Sequence, residues 1–229
     1  MLNQNYSESV FIDTNTMDWE ASPAAGVWRK KLEREGEESG RATSLVRYDP
    51  GSSFKPHVHS GGEEIFVLDG VFSDEKGDYP AGSYFRNPPG TSHTPSSESG
   101  CTLFVKLCYF QPGDKRQRVV HKSHWDWQQG KVPQEKSFLL HQFHQETTMI
   151  VTLDPDTTWH CTHAASGREI LILKGSLFVS DAGIASPGWL RFSPDDQRVV
   201  RSGEQGATLL FKTGHFLHLE KGNAVGQTG

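Results

Sequence analysis

The chain repeats itself. Asp49-Pro50 opens a stretch that closes on Gly70 in GGEEIFVLDG, and Asp154-Pro155 opens one that closes on Gly175 in SGREILILKG. Between them the offset is 105 residues without a gap: Asp49, Pro50, Gly62, Glu64, Ile65, Leu68 and Gly70 match Asp154, Pro155, Gly167, Glu169, Ile170, Leu173 and Gly175. Beyond them the offset reads as 106, through Gly82 and Gly188, Pro88 and Pro194, and the segments CTLFVK and ATLLFK. So long a period exceeds a solenoid repeat or propeller blade, so each copy is expected to be a domain. A length of 229 residues admits one large domain or two small ones, and the repeat selects two.

Each copy reads as β. Short β-branched and aromatic runs predict strands near 43–48, 55–60, 64–68, 83–86 and 101–109, then near 149–153, 169–173, 190–192 and 208–212. Asp49-Pro50-Gly51, Glu75-Lys76-Gly77-Asp78 and Asn87-Pro88-Pro89-Gly90 are turn clusters between them. Strands at this spacing suggest a sandwich or barrel. The charge-rich run 28–40, WRKKLEREGEESG, lacks the apolar stripe of a helix and reads as a solvated strand or hairpin.

Charge and cysteine content exclude several roles. A net charge of −5 argues against a nucleic-acid or anionic-membrane binder. No apolar run approaches the roughly 20 residues of a membrane span. The opening MLNQNYSESVFIDTNT has neither the basic start nor the apolar stretch of a signal peptide. Cys101, Cys108 and Cys161 form no Cys-x-x-Cys pair, and a sparse, odd set suggests a reducing, cytoplasmic setting.

The chemistry lies in the eleven histidines. His121/His124, His141/His144, His160/His163 and His215/His218 are spaced by three, which puts the members of a pair on opposite faces of a strand. His57 and His59 are spaced by two, so both imidazoles leave one face. Glu63 follows a short turn and opens the next strand, and His93 comes after the Pro-Pro-Gly turn.

Written out, the two stretches are G-x5-H-x-H-x3-E-x6-G, from Gly51 to Gly70, and G-x5-P-x-G-x2-H, from Gly82 to His93. They resemble the two signature motifs of the cupin superfamily, with Ser97 where that pattern has a turn asparagine. The wording HVHSGGEEIFVLDGVFSDEKGDYPAGSYFRNPPGTSHTP is similar to the cupin-like domain of ChrR-type anti-sigma factors, tightly over 42–108 and more loosely over the second copy. The resemblance implies an all-β fold of two tandem cupin jelly rolls, each a double-stranded β-helix. It implies a divalent metal, zinc first and iron, manganese or nickel as alternatives, held by His57, His59, Glu63 and His93. The domains are then an N-terminal arm (1–25), a metal-binding cupin domain (26–118), a linker (119–134) and a second cupin domain (135–229). The zinc-binding, sigma-binding helical domain of that family has no counterpart in these residues, so sigma-factor inhibition is not carried over.

The second copy helps to choose between Glu63 and Glu64. Opposite His57, His59, Glu63 and His93 it has Thr162, Ala164, Arg168 and Val199, so all four ligands are lost together, whereas Glu64 is matched by Glu169. Glu63 is therefore expected to bind and Glu64 to be structural, while the second barrel serves stability or dimer-like packing. His160, Cys161 and His163 match no ligand position, and no second site is expected there. Arg168 is expected to pair with a carboxylate rather than to form an anion pocket. One of Cys101 and Cys108 is expected in the core. Tyr84, Arg86, Phe104 and Lys106 either line the first barrel or simply pack.

Three functions compete: a sensory or regulatory metal module related to anti-sigma factors, a metal-dependent dioxygenase, and a non-catalytic metal or ligand binder. The partners expected are a small molecule in the first barrel, a regulatory protein and a second copy of the chain, with no nucleic acid and no membrane.

Overall fold

The computed structural model describes residues 1–36, 40–160, 166–217 and 219, and these form two nearly all-β units, Met1–Gln4 with Met17–Trp125, and Asn5–Thr16 with Asp126–Gly229. In the first unit the antiparallel order is Arg118–Val120, Tyr84–Asn87, Glu63–Asp74, Cys101–Leu107, Ala42–Tyr48, Val27–Arg34, Glu20–Ala21. In the second it is Val10–Asp13, Gly188–Phe192, Arg168–Val179, Val200–Thr213, Glu146–Leu153, Glu135–Phe143, Gln128–Gln129. The orders are the same, but the first strand is drawn from different places. The first unit takes it from residues after its barrel and the second from the N-terminal stretch, where VFID forms an edge strand.

Alternation on the central strands separates two buried faces. Ile65, Val67, Leu103 and Val105 point inward and join Val27, Phe72 and Phe85 in the first core. Ile170, Ile172, Leu209 and Phe211 do the same in the second. Residues of the other parity are buried too. Tyr84 Oη donates to Glu64 Oε1 over 3.0 Å, and Arg86 donates to Glu64 at 3.1 Å and Asp114 at 2.8 Å. Lys106 Nζ donates to Thr43 Oγ1 at 2.9 Å. Tyr84, Arg86 and Lys106 are thus packing residues whose polar ends make hydrogen bonds, and Phe104 shares their outward parity.

The predicted register needs one correction. Arg86 lies opposite Glu64, and Arg191 opposite Glu169, an offset of 105. Ser96 lies opposite Ser53, and Arg201 opposite Thr158, again 105. The step to 106 comes only before the strand pairs Cys101–Gly70 and Ala207–Gly175. Gly188 therefore stands where the first copy has Ser83, and Arg198, not Val199, stands where it has His93. Trp189 does for Glu169 what Tyr84 does for Glu64, donating Nε1–H to Oε1 over 2.8 Å.

Two further expectations change. Run 28–40 is a strand over Val27–Arg34, but not a solvated one: Lys30, Leu32, Glu33 and Arg34 are all buried, and the strand bulges between Lys31 and Glu33. Residues 37–39 lie outside the described residues. Among the described residues Arg168 pairs with no carboxylate. It donates to the carbonyl oxygens of Asp196 and Arg198, with its guanidinium 4.0 Å above the Phe192 ring. Cys101 is the cysteine in the core.

Candidate metal centre

The short strand His57–Val58 pairs antiparallel with Ser92–His93, which sets His57 directly opposite His93. His59 N donates to Thr91 O and Gly90 N to His59 O, at 2.9 and 2.8 Å, so the ladder continues to the second histidine. The Pro88-Pro89-Gly90 turn and the Ser60-Gly61-Gly62 turn bring the flanking chain back at this level. Gly62 adopts φ +80, and a Cβ there would lie 2.4 Å from the Phe110 ring. Glycine is thus required to deliver Glu63 to its place.

The four residues converge. One donor atom from each of His57, His59, Glu63 and His93 lies within 4.8 Å of every other. The imidazole centroids are 5.0, 5.1 and 4.7 Å apart. Glu63 Oε2 is 3.4 Å from His59 Nε2 and from His93 Nε2. Ligand atoms held roughly 2.0–2.2 Å from one ion are separated by distances of this order.

The outer nitrogens are fixed by groups that sequence reading missed. His93 Nδ1 is 3.3 Å from Asp74 Oδ2, and Asp74 Oδ1 accepts from Tyr79 Oη at 3.1 Å and from Lys76 N at 2.8 Å. His57 Nδ1 is 3.0 Å from the Lys55 carbonyl oxygen. Asn87 Nδ2 donates to Glu63 Oε2 over 3.4 Å. These contacts turn the Nε2 atoms of His57 and His93 inward, the arrangement that second-sphere carboxylates and carbonyls impose on ligating imidazoles.

Burial sets the electrostatics. Desolvation pushes the Glu63 carboxyl up to about 7, against the opposing Asn87 hydrogen bond. Desolvation, with His93 and His57 close by, pushes His59 down to about 3. His93 is lowered by burial and by His57, with Asp74 pulling the other way. The pocket thus disfavours both the carboxylate and the imidazolium when nothing else is present. A dication reverses the first penalty and uses the neutral imidazoles that the second one leaves. The buried Nε2 atoms of His59 and His93 have no hydrogen-bond partner among the described residues. Three inward-facing imidazoles converging on one carboxylate fit a divalent ion.

In the second unit Arg168 and Arg198 occupy the places of Glu63 and His93; Thr162, Ala164, Cys161 and His163 lie outside the described residues. Arg198 is engaged with Asp196, at 3.0 and 3.1 Å from Nε. Above the quartet in the first unit lies a cavity of about 360 Å³, lined by Val46, Ile65, Leu103 and Val105 among others. At the position of Val105 the second unit has Phe211, whose ring meets Trp159 edge-on at 5.0 Å inside the core.

The family model of the ChrR cupin-like domain matches the chain twice, over residues 7–111 and 115–217. No curated protein matches it. Among solved structures it is similar to a protein of Nostoc punctiforme provisionally described as a dioxygenase, with TM-score 0.72 and 16% identity over 90% of this chain and 82% of that one. It is also similar to the bacterial pirin YhhW of Escherichia coli in complex with nickel(II), with TM-score 0.69 and 15% identity over 90% of this chain and 98% of that one. A third is a cupin 2 conserved barrel domain protein of Leptotrichia buccalis, with TM-score 0.61 and 11% identity over 93% and 99%. At these identities the likeness establishes the fold, a cupin jelly roll. Among the described residues no helix is long and apolar enough to cross a membrane.

Proposed function

The chain belongs to the ChrR cupin-like domain family, present as two tandem copies, and from that premise we propose that its first copy is a divalent-metal module with a sensory or regulatory role. His57, His59, Glu63 and His93 hold the ion, zinc by family resemblance. One observation carries the reading: the buried, unpartnered Nε2 atoms of His59 and His93 converge with Glu63 Oε2 at 3.4 Å. A bound divalent ion would supply Lewis acidity or, if redox-active, electron transfer. Three imidazoles and one carboxylate suit several metals, so metal supply and geometry decide among them.

The chain's own groups have definable tasks. Asp74 orients His93, the Lys55 carbonyl fixes the tautomer of His57, and Asn87 holds one oxygen of Glu63. The apolar wall excludes bulk water. Asp74→Ala is therefore expected to weaken metal affinity about 10–100-fold, measured by competition with a chromogenic chelator. An affinity within twofold of wild type would remove Asp74 from this role.

The test of the whole reading is elemental analysis of gently purified and reconstituted protein, with about one ion per chain expected. A ratio near zero after reconstitution overturns it. The regulatory part predicts a protein partner, to be sought by pull-down from the native host with wild type and His57→Ala. Capture independent of the metal site, or no regulator captured at all, argues against it. A second reading, a metal-dependent dioxygenase, is favoured by the cavity that opens on the quartet. Oxygen uptake by iron-loaded protein across a substrate panel tests it. A closed four-coordinate zinc without bound water would defeat it.

A further inference from the structure

Tyr48 lines the cavity together with the metal quartet. Its ring lies 5.9 Å from that of Phe54 and meets Phe72 edge-on at 6.1 Å. Those two rings lie 6.0 Å from His57 and 5.9 Å from His93. The side chain is thus held beside the quartet, and the residue is only 6% exposed. Its hydroxyl nevertheless hydrogen-bonds to none of the described residues. Arg29 and Arg34 also line the cavity, but each has an interaction partner of its own. A buried hydroxyl left unpaired is costly, so one that borders a cavity points to a bound group that completes it. Burial, and then the nearby Glu63 carboxylate, raise the phenol above its ordinary value, so it stays protonated and able to donate. The floor of the cavity is apolar. Leu103, Val105 and Leu107 are alternate, inward positions of one strand, and Leu107 stands opposite Glu63, so the apolar stripe ends at the quartet. The volume of about 360 Å³ holds about a dozen non-hydrogen atoms at roughly 30 Å³ each.

We propose that Tyr48 is a specificity-determining residue of the first barrel. Its hydroxyl donates to the oxygen of a small carbonyl compound whose apolar body, of about ten carbons, lies on the wall at Leu103 and Val105. The inference rests on the metal-module reading and names a ligand class for that same site. The second unit supplies the contrast. Where it lacks the counterparts of Glu63 and His93, it also has Leu153 at the position of Tyr48 and Phe211 at that of Val105. Both are packed in the second core, Phe211 against Trp159. The unpaired hydroxyl and the space beside it thus go with the quartet. Val105→Phe is expected to fill the first cavity while leaving the quartet untouched.

The experiment is isothermal titration of the metal-loaded full chain with three probes: benzylacetone, butylbenzene, which has the same carbon skeleton without the oxygen, and acetone. Metal per chain is measured on the same samples. Benzylacetone is expected to bind one per chain, and acetone, which lacks the apolar body, at least about tenfold more weakly. Tyr48→Phe should weaken benzylacetone about threefold to tenfold and leave butylbenzene within about twofold. Val105→Phe should weaken both aromatic probes at least about tenfold at unchanged metal content. In wild type stripped of metal, the carbonyl band of bound benzylacetone should lie at lower frequency than in an alkane, which reads the hydrogen bond without any variant. Equal effects of Tyr48→Phe on the ketone and the hydrocarbon overturn the proposal, as do an unshifted carbonyl band and undiminished binding to Val105→Phe. Absence of benzylacetone binding by wild type, with metal or without, overturns it too. Wild type that takes up no metal on reconstitution would instead defeat the metal reading, and Tyr48-dependent ketone binding by that sample still decides the ligand class.

Discussion

Glu63→Gln combined with His93→Ala is expected to leave less than about a tenth of a metal ion per chain, against about one in wild type. The double change removes the single anionic donor and one of three imidazoles, and the remaining pair, His57 and His59, cannot enclose an ion. Stability should follow. A ligand that binds only the folded state contributes about 4 kcal/mol when its free concentration is a thousand times Kd. For a domain of this size that corresponds to a fall in Tm on the order of 15 °C when a chelator strips wild type. The double variant should show no response to chelator. The comparison variant is Glu64→Gln. Glu64 accepts from Tyr84 and Arg86 on the far face of the sheet, so it should lower stability by about 1–3 kcal/mol with metal content unchanged. If Glu64→Gln empties the site and Glu63→Gln does not, the assignment of the ligand is reversed.

That Glu63 rather than Glu64 lies with the three histidines was legible because the repeat supplies a copy that keeps the counterpart of Glu64 and lacks the other four. Strand parity, a two-residue code, paired His57 with His59. What spacing could not give was the outer contacts. Asp74 reaches His93 from the far end of a long hairpin strand, and Asn87 reaches Glu63 across the sheet, so neither stands at a fixed interval from the residue it serves. The step from 105 to 106 was misplaced because Gly82 and Gly188 look equivalent in sequence. The hydrogen-bonded pairs Arg86–Glu64 and Arg191–Glu169 are what fix the register. Arg168 misled for a related reason. Buried guanidinium was expected to find a carboxylate, but backbone carbonyls accept from its Nη1 and Nη2. The N-terminal strand was missed because four residues carry too little periodicity, and its place in the sheet is set by a partner far along the chain.

The repeat's own matched residues give the second large effect. Each central strand bulges at the repeated leucine: register passes from Val67 to Asp69 around Leu68, and from Ile172 to Lys174 around Leu173. The following glycine then adopts the left-handed region, φ +72 at Gly70 and +79 at Gly175. A Cβ at Gly70 would lie 2.1 Å from the Gly100 carbonyl oxygen, and one at Gly175 would lie 2.1 Å from that of Gly206. Both obstacles are backbone within the sheet, so neither can rotate away. Gly70→Ala and Gly175→Ala should each cost about 3 kcal/mol or more, from left-handed strain and forced overpacking together. Gly51 separates the two terms. Its φ is +78, yet nothing lies within 4 Å of the position its Cβ would take. Gly51→Ala should therefore cost only the conformational part, about 1–2 kcal/mol. Urea unfolding of the three variants measures the difference directly. Equal losses at Gly51 and Gly70 would mean that the sheet yields to the methyl group, and that the bulge is maintained by chain conformation alone.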